Sequence, residues 1–119
     1  MNGNTLSELE RTVLKIIQKE MSKFSDELFY QLCNIRKYQI ERTSYYSMIY
    51  PVIDFEAPLF ANKGHLVCDV HIFRKKGLPI QALLHIKYGK VYLIETFCVD
   101  SGPLPENVDI ERYEVVIST

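Results

Sequence analysis

Between His65 and Val99 the apolar and polar residues alternate with a period of two in three successive runs, centred on Leu66–Ile72, Ile80–Ile86 and Val91–Phe97, and a glycine-bearing turn separates each run from the next. This is the pattern of a β-meander. A two-residue Tyr88-Gly89 loop predicts a tight hairpin in which Lys87 pairs with Lys90. Counting outward from that pair without interruption sets Ile86 on Val91, Leu84 on Leu93, Ala82 on Glu95 and Ile80 on Phe97, all on one apolar face. The opposite, wetter face takes His85 across from Tyr92, Leu83 from Ile94 and Gln81 from Thr96. The preceding run adds Leu66, Cys68, Val70 and Ile72 to the apolar face, and His65, Asp69 and His71 to the wetter one.

Upstream the period is helical. Thr5 with Glu8, and Ser7 with Glu10, both have the spacing of a capping box, so a helix begins near Thr5 to Ser7. Leu6, Leu9, Val13, Ile16, Ile17 and Met21 form its apolar stripe. Ser25 followed by Asp26 and Glu27 predicts a second N-cap with acids in the first turn, and Leu28, Leu32 and Ile35 supply an apolar face as far as a stop near Asn34. From Arg36 the period returns to two. Tyr38 and Ile40 alternate with Lys37, Gln39 and Glu41, Arg42 to Ser44 make a turn, and YYSMIYPVIDF completes a second hairpin. Pro51 has no N–H to donate, so its strand is an edge, is bulged or ends there. Residues 56–64 read as a loop. Beyond Val99, Asp-Ser-Gly-Pro is a turn signal, Pro103 and Pro105 extend the connection, and Arg112 to Ile117 form a last strand. The expectation is one α+β domain over residues 1–119, with two N-terminal helices (about 6–34) packed on an antiparallel sheet of five or six strands (about 36–118).

Composition narrows the possibilities. A chain of 119 residues, 47% hydrophobic and 24% charged, can bury its own core without staples. Its net charge of -1 argues against nucleic acid as partner, because counterion release needs a basic surface. Cys33, Cys68 and Cys98 are odd in number and lack CxxC spacing, so free thiols in a reducing compartment are expected, with Cys68 and Cys98 pointing to opposite sides of the sheet. The start MNGNTLSELE has no signal-peptide pattern and no run reaches the length of a membrane span; a cytoplasmic protein without membrane contact is the expectation.

Candidate chemistry is sparse. His65, His71 and His85 with Asp69 share a face, yet positions 65 and 71 of one strand stand about 20 Å apart and cannot ligate one ion. Glu95 falls on the apolar face in the derived register, where a carboxylate needs a backbone turn, a Tyr or an Arg such as Arg42 as partner. No P-loop, nucleophile elbow or His-Glu-x-x-His occurs, and neither a metal nor another cofactor is expected. Charge is uneven along the chain. From Glu95 onward the acids outnumber the bases, of which Arg112 alone remains, and eight tyrosines without a tryptophan make Tyr the available anchor for a partner, with Tyr45, Tyr46, Tyr50, Tyr92 and Tyr113 as candidates.

Arg42-Thr-Ser-Tyr-Tyr, followed by the hairpin from Gly89 through Ile94 and Glu95 to Phe97, a Pro-bearing turn and a short last strand, resembles small bacterial immunity proteins of contact-dependent growth inhibition and other polymorphic-toxin systems. The likeness spans residues 27–117. Ser44 and Thr96 stand where such proteins more often have Gly. The resemblance implies a non-enzymatic inhibitor that binds one cognate toxin domain, such as a nuclease, as a monomer in a 1:1 complex and blocks its active site. Taken with the charge pattern, it makes Tyr92, Asp100, Glu106, Asp109, Glu111 and Glu114 the candidate partner-binding residues. The alternatives are a small-ligand or regulatory module with a pocket between helices and sheet, and a hydrolase using His85 or Glu95.

Overall fold

A computed structural model describes residues 5–54 and 56–118. Two helices, α1 (Glu8–Phe24) and α2 (Asp26–Cys33), precede six strands: β1 (Ile35–Arg42), β2 (Tyr46–Ile53), β3 (Leu66–Arg74), β4 (Ile80–Lys87), β5 (Lys90–Cys98) and β6 (Ile110–Ser118). The strands form one antiparallel sheet in the order β1-β2-β5-β4-β3-β6. The expected α+β architecture is therefore present, with six strands.

Of the two capping boxes, Ser7 with Glu10 starts α1: the Ser7 hydroxyl accepts from the Glu10 N–H at 3.1 Å, and the Glu10 carboxylate accepts from the Ser7 N–H at 2.8 Å. Ser25 both ends α1 and caps α2, its hydroxyl accepting from the Leu28 N–H. Leu9, Val13, Ile17 and Met21 of α1 and Leu28 and Leu32 of α2 pack with Ile49, Cys68, Val70, Ile72, Leu84, Ile86 and Ile94 from one sheet face, all nearly inaccessible to water. Ile35, assigned from the sequence to the second helix, instead opens β1, because the chain leaves the helix at the Asn34 cap.

The β4–β5 turn forms as expected. Tyr88 and Gly89 have φ of 54° and 75°, the two positive values of a type I′ turn, and Lys87 pairs with Lys90. One pair later the derived register fails. Ile86 faces Val91, but His85 faces Leu93, so Tyr92 is an extra residue in β5. This bulge inverts every subsequent side chain: Ile94, Thr96 and Cys98 turn to the helices, whereas Leu93, Glu95 and Phe97 turn away. The physical gain is plain, since the uninterrupted register would drive the Glu95 carboxylate against Ala82 on the dry side. Cys98 consequently shares the core face with Cys68, not the opposite one. Its level with Ile80, against Leu84 for Cys68, still leaves the thiols about 13 Å apart along the strands and two strand spacings across, too far to bridge. Burial pushes the Cys68 thiol up to about 12, helped by Glu20 and Asp69.

Pro51 ends one of the pairings. The Tyr46 carbonyl accepts from Thr43 on the β1 side, so the alternation of an antiparallel ladder directs the backbone groups of Ser47, Ile49 and then Pro51 toward β5. Pairing with β5 stops after Ile49 with Ile94, at the residue before the missing N–H is due and beside the Tyr92 bulge. The two strands part there. Buried Gln31 of α2 closes the core side of the gap: its Oε1 accepts from Val91 N–H at 2.9 Å, while its Nε2 donates to the carbonyls of Gly89 and Pro58.

Candidate functional site

Both helices lie against one face of the sheet, and the other carries a half-buried, mixed surface. Tyr46, Met48 and Tyr50 of β2 stand beside Leu93, Glu95 and Phe97 of β5, followed by Leu83 and His85 of β4 and Asp69 and His71 of β3. Across this face runs a chain of polar contacts. His85 Nε2 lies 2.5 Å from Glu95 Oε1, and His85 Nδ1 lies 3.0 Å from Nε2 of His65, whose ring stacks at 5.3 Å. With Glu95 as acceptor, His85 donates from Nε2, and in a neutral ring its Nδ1 is then the acceptor toward His65. Glu95 therefore finds its partner on the open face and not in Arg42. Burial, with the carboxylates of Glu41 and Glu95 and the phenols of Tyr92 and Tyr46 nearby, pushes the Tyr50 phenol up, and its hydroxyl donates to the Met48 sulfur at 3.6 Å.

The apolar side holds a different carboxylate. Glu10 is 1% exposed, receives hydrogen bonds from Nε and Nη2 of Arg42, and accepts from the Ser47 hydroxyl at 2.5 Å. Burial alone would raise its pKa; the bonds from Arg42, Ser47 and the Ser7 N–H outweigh burial and hold the carboxyl below its ordinary value. Arg42 is thus the counter-ion of Glu10, not of Glu95. The pair borders a cavity of about 780 Å³ between the start of α1, the Thr43-Ser44 turn and the segment Pro103–Glu106. Nearby, the buried Thr96 hydroxyl has no hydrogen-bond partner among the described residues.

The sequence-derived partner residues are divided by the fold. Tyr92 is 47% exposed on the bulge near the Tyr88-Gly89 turn, under the Lys87 ammonium at 5.1 Å. Glu114 stands on the same open face at the β6 edge, paired with Arg112, which in turn covers the Phe73 ring. The other four gather at the far end of the sheet, about 20 Å from Tyr92 along β5. There Asp100 holds its own turn by accepting from Gly102 N–H, and Glu106 borders the cavity beside α1. Asp109 meets Arg74 at 3.4 Å, and Glu111 is an extra residue of β6 opposite the step from Phe73 to Arg74. Burial would raise Asp109, but Arg74 and the Lys76 N–H hold it below the usual carboxylate value. The acids thus share their end with Arg74, Lys75 and Lys76 and do not form one anionic patch with Tyr92.

Sequence reasoning names Tyr46 and Tyr50 as anchors and sets His65 and His85 on one face, but it misses Glu95 as the residue that joins them there. The available signal was Leu93-Ile94, two consecutive apolar residues that break the period of two and mark the bulge. Among the described residues no group of three His, Cys, Asp or Glu has metal-binding geometry, and no helix is long and apolar enough to cross a membrane. Comparison of the chain with protein-family models, curated proteins and solved structures finds no match.

Proposed function

We propose that this protein is an inhibitor of the immunity-protein type, which binds one cognate toxin domain in the cytoplasm, one to one, and obstructs its active site or substrate entry. The carrying observation is the asymmetry of the sheet: two helices cover one face, and the other offers tyrosines and a mixed polar rim. Tyr46, Tyr50 and Tyr92 supply contact area at small entropic cost, and the Glu95–His85–His65 chain gives the patch a fixed polar centre. Glu114 lies on this face, while Asp100, Glu106, Asp109 and Glu111 stand at the far end among Arg74, Lys75 and Lys76, outside the contact. The same chain weighs against the hydrolase reading. Both ring nitrogens of His85 are already engaged, which leaves none open to a substrate proton. The cavity beside Arg42 favours a small-ligand module, but two guanidinium nitrogens there are committed to Glu10 and to the Thr5 carbonyl.

Co-expression tests the reading. The toxin domain encoded by the adjacent upstream reading frame should arrest growth alone, and this protein should restore growth and elute with it as a 1:1 complex. Unrelieved arrest, with both proteins folded and no complex, would overturn the proposal.

A further inference from the structure

The parting of β2 and β5 leaves a cleft of about 480 Å³ at the turn end of the open face, within the size range of small-molecule sites. Its walls are Pro51, Val52 and Ile53 on one side and Val91, Tyr92 and Tyr88 on the other. Lys87 and Lys90 stand at its border, Lys87 with its ammonium 5.1 Å from the Tyr92 ring centroid. Lys63 contributes a third charge at the turn, through a loop whose carbonyl accepts from the Tyr88 N–H. None of these three lysines belongs to an ion pair among the described residues. Tyr88 adds an independent sign. A bulky residue at φ 54° is strained, Asn or Gly being preferred there, yet its ring is 74% exposed and returns nothing to the fold through burial.

We infer that this cleft binds a small amphipathic carboxylate, its apolar chain or ring lying between Val52 and Tyr92 and its carboxylate held by Lys87 and Lys90. The cleft shares Tyr92 with the proposed toxin-docking face, but the inference does not depend on that proposal. Apolar walls explain the body of such a ligand, unpaired ammonium groups its charge, and the strained Tyr88 the second aromatic wall.

Amide NMR titration of the intact protein with octanoate, and separately with 1-octanol, tests this. Octanoate should give saturable shifts confined to residues 51–53 and 87–92, with octanol at least ~10-fold weaker for want of the charge-assisted bonds. Lys87→Gln with Lys90→Gln should remove that preference while octanol binding persists. Tyr88→Asn, which relieves the backbone, should leave the fold intact and weaken both ligands. No saturable shift up to millimolar octanoate, equal response to both compounds, or shifts centred on the helix-covered core would each overturn the inference.

Discussion

Glu10 shows how much of the fold a single residue can hold. It closes the capping box of α1, receives Arg42 from β1 and Ser47 from β2, and so ties the first helix to the first hairpin. Glu10→Gln should lower the unfolding free energy by about 2–3 kcal/mol near neutral pH, the part-exposed Arg42 keeping the loss toward the low end for a broken ion pair. The sign of its pH dependence follows from the lowered folded-state value. Its stabilisation is complete above the unfolded carboxyl pKa and is lost as pH falls through the folded one, so the gap between wild type and variant holds down to about pH 4.5 and narrows on further acidification. Urea unfolding above and below that pH measures it; a gap independent of pH would exclude the linkage. From the sequence, the capping box and the suitability of Arg42 as a counter-ion were both legible. That they belong to one cluster was not, because 32 positions separate Glu10 from Arg42 and only tertiary packing brings them together.

At the scale of elements, the Tyr88-Gly89 turn and the Tyr92 bulge decide what each face of the sheet displays. Turn chemistry is local, so the hairpin, its turn and its first two pairs could be read from the six residues Ile86 to Val91. The bulge could not, since it depends on which face the helices cover and on the cost of burying Glu95, both properties of the assembled molecule. Within β5 every misplacement traces to that one residue: Leu93, Glu95 and Phe97 turn outward and Ile94, Thr96 and Cys98 inward. Gly89 carries the turn. A Cβ there would sit 2.4 Å from the Phe60 carbonyl oxygen at φ +75°, and the Gly89 carbonyl accepts from Phe60 N–H and from Gln31. Gly89→Ala should therefore cost about 2–4 kcal/mol, whereas Gly64→Ala, with only the Asn62 side chain in the way, should stay within about 1 kcal/mol. Thermal unfolding of the two variants compares them directly; equal melting temperatures would mean that the loop yields around the turn.

On the scale of the whole molecule, a sheet with helices on one side and tyrosines on the other keeps the core apart from the proposed docking face. The core lies between α1, α2 and the inner face, so substitutions on the outer face can alter binding with little effect on packing. The alternation in the sequence showed that a wetter face exists, and the eight tyrosines suggested anchors. Which tyrosines stand together is set by the strand order β2-β5-β4, a product of long-range pairing that alternation does not encode. The most direct test is calorimetric titration of the purified toxin domain with three forms of this protein, each confirmed folded by circular dichroism. These are the wild type, Tyr50→Ala with Tyr92→Ala on the open face, and Lys15→Ala with Lys19→Ala on the exposed side of α1. The open-face pair should weaken binding by at least ~100-fold, on the scale of two buried aromatic anchors, and the helix pair should leave it within ~3-fold. Full affinity in the tyrosine variant, or loss confined to the helix variant, would contradict docking on the open face.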